Sequence, residues 1–139
     1  MMTIRSVVLP AAAASLILLP LSSHAHHPLD EVYERDSSVS LTGTVIRVDW
    51  VNPHASFTLR VSEASGSTVE WVIELDPPHY LQRRGWTEHQ ISAGQTVTVE
   101  GFRALDRGPR AYAKAVTLAN GETLSASSDA SWSWRRGGE

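Results

Sequence analysis

The chain has 139 residues, 42% of them hydrophobic and 19% charged, the balance of one ordinary globular domain, which excludes both a disordered chain and multi-domain chemistry. Its net charge is −3 with histidines neutral, a surface that repels phosphate backbones and excludes nucleic acid as the natural partner. Cysteine is absent, which removes disulfides, thiolate metal sites, thiol nucleophiles, iron–sulfur clusters and a lipid anchor on cysteine together.

Residues 1–25 read as an export signal. Arg5 supplies the positive start, and the apolar run from Val7 to Leu21 is too short to span a bilayer of about 30 Å comfortably. Ser23 and Ala25 then place small residues where a signal peptidase needs them, so cleavage is expected after Ala25 with His26 as the new N-terminus. The expected location is the bacterial periplasm, with no membrane span left in the mature form.

Residues 26–38 carry charge without a clean apolar period and predict an extended arm with at most a turn of helix, in which only Leu29, Val32 and Tyr33 can pack. Strand one is predicted from Val39 to Val51, rich in β-branched residues, with Gly43 marking a bend or bulge. Asn52-Pro53-His54 breaks it, since Pro53 has no ladder donor. Phe57, Leu59 and Val61 alternate with polar residues as strand two, and Val69, Trp71, Ile73 and Leu75 do the same as strand three. Asp76-Pro77-Pro78 predicts a helix start capped by Asp76, with a helix over His79 to Arg84 stopped at Gly85.

After a turn at Ser92 to Gln95, Val97 and Val99 mark strand four, closing at Gly101, and strand five runs from about Ala111 to Leu118. Asn120-Gly121 is a hairpin signal that folds Glu122 to Ser125 back as a short extra strand. Residues 127–139, with Trp132 and Trp134 among Ser, Gly and Arg, predict a mobile tail. Three strands, a short helix and two strands make the expected fold mainly β: a five-stranded OB-like Greek-key barrel over 39–126 with one short helix between strands three and four, an open two-layer sandwich being the rival.

Certain residues, taken together, resemble a known group. His26-His27, Leu41-Thr42-Gly43-Thr44-Val45, Trp50, Asn52-Pro53-His54, Trp71, Glu74-Leu75, Arg83-Arg84-Gly85-Trp86, Val99-Glu100-Gly101 and Val116-Thr117-Leu118 make the chain similar to a family of small exported bacterial proteins classed as a domain of unknown function. The resemblance covers about His26 to Ser128; it departs at His79, where a small polar residue is usual, and in the tail beyond Ser128. It implies export and a single small β-rich domain, and it brings no activity. A looser similarity to periplasmic OB-fold proteins linked to stress responses rests on architecture alone.

No phosphate-binding glycine loop, nucleophile elbow or helical His-Glu-x-x-His is present, so no catalytic signature is found. Glu70 and Glu74 share a strand face about 13 Å apart, beyond glycosidase spacing, and predict a solvated face. Arg83 and Arg84 at the helix end predict either a structural clamp on carbonyls or on a carboxylate such as Glu74, or an anion site. Trp50, Trp71 and Trp86 are core or rim aromatics that could form a ligand or partner surface. The histidines carry more chemistry. A free α-amine at His26, the amide of His27 and both imidazoles form a nitrogen donor set suited to Cu(II) or Ni(II), which His54 could complete. The competing reading leaves the N-terminal pair merely exposed and His54 capping its own turn. The expected function is therefore an exported periplasmic binding module whose ligand is unassigned and could be a transition metal such as Cu(II). The alternatives are a metal-independent envelope protein-interaction or stress adaptor, and a metal-dependent enzyme.

Overall fold

A computed structural model describes residues 29–127. In chain order these residues form α1 (Leu29–Val32), β1 (Tyr33–Asp49), β2 (Ser56–Ser62), β3 (Thr68–Glu74), α2 (Pro78–Arg83), β4 (Thr96–Ala104), β5 (Arg110–Leu118) and β6 (Thr123–Ser125). The expected signal, His26, His27 and the tail beyond Ser127 lie outside the described residues. The fold is mainly β, with one six-stranded sheet in the order β3-β2-β1-β4-β5-β6. Neighbours in that order are antiparallel, and β3 makes a further, parallel pairing with β5. β5 is thus shared along its length: Arg110 to Tyr112 pair with β3, and Ala115 to Thr117 pair with β6.

The alternation in β2 and β3 does what a period of two requires. Phe57, Leu59, Trp71 and Ile73 point into one cluster with Val45, Val97, Val99 and Val116, while Arg60 and Glu70 on the opposite face form an exposed ion pair at 2.9 Å. α2 closes that core with Leu81, fully buried, and Trp86 follows it. The helix ends where Gly85 adopts φ +92°, a conformation glycine takes without the steric penalty other residues bear.

Three elements differ from expectation. β1 begins at Tyr33, not at Val39, so the second half of the expected arm is strand: Ser38 to Thr44 pair continuously with β4, and Tyr33 pairs with Ala104. β4 correspondingly runs on to Ala104 through an irregularity at Glu100/Gly101. The stretch from Glu34 to Ser38 carries no apolar side chain and crosses an irregularity in the β1–β4 pairing, which is why it looks structureless in sequence. The bulge in β1 lies between Val45 and Arg47, not at Gly43.

The third difference concerns Asp76. It does not cap α2: the residue at that boundary is Pro77, no side chain caps the helix, and the Asp76 side chain is turned inward, 2% exposed. A second, smaller cluster of Tyr33, Ala104 and Tyr112, with Leu29, Val32 and Phe102 packed on it, fastens α1 to the sheet. Among the described residues no helix is long and apolar enough to cross a membrane.

Candidate functional site

The polar chemistry of the domain gathers where β3 ends. Ser56 pairs with Glu74, and the ladder continues past both strands through Leu75 N–H donating to the Ala55 carbonyl at 2.8 Å. His54, two residues before Ser56, therefore lies on the same face as Glu74 and diagonal to it. The Asn52–Pro53 bond within this loop is cis. His54 Nδ1 is hydrogen-bonded to Glu74 Oε1, and the Tyr33 hydroxyl donates to Glu74 Oε2 at 2.5 Å. One carboxylate thus holds two residues from opposite ends of the long first strand and the loop that follows it.

A second carboxylate stands beside the first. Asp76 accepts from the Tyr112 hydroxyl through Oδ1 and from Arg84 Nη2 through Oδ2 at 2.6 Å. Tyr112 lies opposite Glu74 in the β3–β5 register, and its ring packs tilted at 5.5 Å from Tyr33 and edge-on at 6.0 Å from His54. The two carboxylate assemblies therefore share the Tyr112 ring as a common wall.

Charge follows from these contacts. Burial alone would raise the Glu74 carboxyl, but the hydrogen bonds from His54 and Tyr33, with the charges of His54 and Arg110 behind them, more than offset it and hold Glu74 below its ordinary range. Burial first, and Glu74 second, push the Tyr33 phenol up. Burial and the hydrogen bond to Asp76 do the same to Tyr112. Both phenols are proton donors throughout the physiological range. An ionised carboxylate can only accept, so the proton between His54 and Glu74 sits on Nδ1.

The other predicted site residues are distributed elsewhere. Trp86 is 3% exposed with its indole N–H donating to the Ser125 carbonyl at 2.8 Å, and Trp71 is 9% exposed under the Arg103 guanidinium, 5.1 Å from the ring. Both are core residues. Trp50 is half-buried at the core edge, where it meets Trp86 over a small cleft floored by Phe57 and Leu75. Arg84 clamps a carboxylate, as the clamp reading expects, but that carboxylate is Asp76, not Glu74. Arg83 instead reaches the Tyr80 ring at 5.9 Å, and the His79 ring lies tilted against the same ring at 4.0 Å. Glu74 is no member of a solvated strand face: its side chain is 28% exposed and doubly hydrogen-bonded.

Among the described residues, no group of three or more histidine or acidic side chains is arranged to hold a metal ion. Of the three predicted metal ligands only His54 is described, and its partner is a carboxylate on another strand instead of its own turn. Sequence reasoning misses Tyr33, Tyr112 and Asp76 altogether. The available signal is the i, i+2 spacing of Glu74 and Asp76, which turns both to one side at the end of a strand whose other face is apolar.

Comparison with known proteins adds a family and no activity. Residues 14–111 match the profile of a family of unknown function (DUF6152). No curated protein matches the sequence.

Proposed function

This chain belongs to DUF6152, a family of unknown function, and from that premise, which supplies no reaction, we propose that it is an exported, non-catalytic binding module that takes a transition metal ion, with Cu(II) preferred, through His26, His27 and His54. We read the fold as an OB-like barrel, on the strength of the pairings β3-β2-β1-β4-β5 together with the parallel β3–β5 contact and the helix between β3 and β4. Export is read from residues 1–25 and puts the working protein in the periplasm.

The observation that carries the metal reading is the convergence of Tyr33 and His54 on Glu74. His27 is six residues before Tyr33, and four of the intervening residues form α1, which rises only about 1.5 Å per residue. The described chain that follows the donor pair thus reaches, at Tyr33, the same Glu74 carboxylate that holds the His54 imidazole. Amine, amide and imidazole nitrogens suit tetragonal Cu(II) and follow the usual divalent order over Zn(II).

Calorimetric titration of four proteins tests the reading: the chain beginning at His26, the same chain with one extra residue in front, its N-acetylated form, and His54→Ala. Copper is expected to bind the first most tightly and more tightly than zinc, with extension or acetylation costing much of the affinity while the fold stays intact. Equal affinity across the four, or none in the first, overturns it and favours a metal-independent envelope adaptor. Turnover of a substrate that dies on chelation would instead mark a metal-dependent enzyme.

A further inference from the structure

We propose that the groove on the outer face of β1, β4 and β5 binds an α-amino acid, with the Lys114 ammonium taking its carboxylate and the Glu100 carboxylate taking its ammonium. The groove holds about 510 Å³, with Ser38, Ser40, Glu100, Gly101, Phe102 and Lys114 in its lining, and small-molecule sites commonly hold about 300–1,000 Å³. It is built from described residues alone and shares none of them with the proposed metal ligands.

Lys114 is the only lysine in the chain. Elsewhere arginine does the pairing: Arg47, Arg60, Arg84, Arg107 and Arg110 each hold a carboxylate, whereas the side chains of Lys114 and Glu100 make no ion pair or hydrogen bond among the described residues. The two are nonetheless neighbours. Glu100 pairs with Ala115 and Gly101 with Ala113, so Lys114 is an extra residue on β5, a bulge. Bulges re-aim a side chain, and they recur beside binding and active sites for that reason. This one is held on both strands: the Lys114 carbonyl accepts from the Ala126 amide at 2.9 Å, and Gly101 runs too close to the Tyr112 carbonyl to admit a Cβ. On β1, Val39 and Leu41 pack toward the core, which turns Ser38 and Ser40 outward. Ser40 stands opposite Glu100 and Ser38 opposite Phe102, so two hydroxyls flank the acidic charge and the half-buried ring. One cation and one anion left unpaired in the same groove complement a molecule that carries one of each. A purely anionic ligand would meet Glu100 as a like charge, and a purely cationic one would meet Lys114. The ammonium of lysine is a compact point charge that can meet a carboxylate from any side, and the Phe102 wall suits an apolar side chain on the same ligand.

A single lysine makes the test direct, because carbon-13 lysine labelling gives one ε-methylene signal, that of Lys114. The probe is L-phenylalanine, set against 3-phenylpropionate, which keeps only the carboxylate, and phenethylamine, which keeps only the ammonium. All titrations contain a chelator and no added metal, so their outcome is independent of copper binding. L-Phenylalanine is expected to shift the Lys114 signal saturably, and each single-charge analogue to bind about tenfold more weakly or worse. Lys114→Met and Glu100→Gln alter exposed side chains and are expected to fold as the parent does, while each loses about tenfold or more in affinity by ligand-observed saturation-transfer NMR. An unmoved Lys114 signal at saturating L-phenylalanine overturns the proposal. So does binding that neither substitution weakens, which would put the ligand elsewhere. 3-Phenylpropionate binding as tightly as L-phenylalanine overturns the role of Glu100 and reduces the groove to an anion contact at Lys114.

Discussion

Gly43 and Arg60 lie so close across β1 and β2 that a Cβ on the glycine would stand 2.3 Å from the Arg60 carbonyl oxygen and 3.1 Å from Leu59 Cγ. Its backbone is not in the left-handed region, so the requirement for glycine here is space alone. Gly43→Ala is expected to destabilise the domain by about 1–3 kcal/mol, and Gly43→Val by more, because the obstacle is backbone in a ladder and cannot rotate away. Urea denaturation midpoints check this; an unchanged midpoint for Gly43→Val would mean that the strands separate at no cost.

Asp76 and Arg84 offer a different kind of loss. The carboxylate is almost fully enclosed, and its side chain and that of Arg84 are 3% and 20% exposed. Arg84→Ala removes this counter-charge from the buried carboxylate and is expected to cost about 3 kcal/mol, the lower end of the range for breaking a buried pair because the guanidinium retains some solvent. Asp76→Asn together with Arg84→Met is expected to recover part of that loss. Thermal unfolding of the single and double variants decides it, and equal destabilisation by single and double substitution would contradict the uncompensated-charge account.

Acid should loosen the first carboxylate assembly. Glu74 titrates below its ordinary value of 4.5 in the folded chain, so its contribution is fully present above that value and is lost as pH falls through the lower folded value. Asp106, held down by the Gly108 amide and Arg110, acts in the same direction. Glu74→Gln should therefore show a shallower loss of stability between pH 5 and pH 2 than the parent. Parallel curves would remove Glu74 from the acid response.

On processing, protein purified from the periplasmic fraction is expected to have the intact mass of a chain beginning at His26. A mass corresponding to the chain from Met1 would contradict both export and a free amine at that histidine.

The parts of this molecule that sequence makes plain are those in which a side-chain period maps onto one buried face. Phe57, Leu59, Trp71 and Ile73 announce their strands, Gly85 announces the end of α2, and Asn120-Gly121 announces the turn into β6. Glu34 to Ser38 do not announce theirs, because they carry no apolar side chain and pair with β4 only at Ser38, beyond the irregularity that follows Tyr33. The site is harder still. His54 and Glu74 are twenty residues apart and Tyr33 and Glu74 forty-one, and they meet only because the β2–β3 register is Ser56 to Glu74 and because β1 extends farther back than its apolar residues indicate. A register slip of one residue would turn Glu74 into the core and abolish every one of these contacts. Asp76 misleads for a related reason: its position before two prolines suits a helix cap, and only the placement of Tyr112 by the parallel β3–β5 pairing shows a better partner.

Because Tyr33, His54, the stretch from Glu74 to Arg84, and Tyr112 come from four separate parts of the chain, an unfolded molecule does not hold them together. A ligand held by these residues together would favour the native over the denatured ensemble, and its affinity would be convertible into melting temperature: about 2.7 kcal/mol of added stability at a hundred times the dissociation constant when the unfolded chain does not bind it. A thermal-shift survey of metal ions and small solutes therefore tests for a ligand of this arrangement without any assay of what the protein does, since the melting curve itself reports the occupancy.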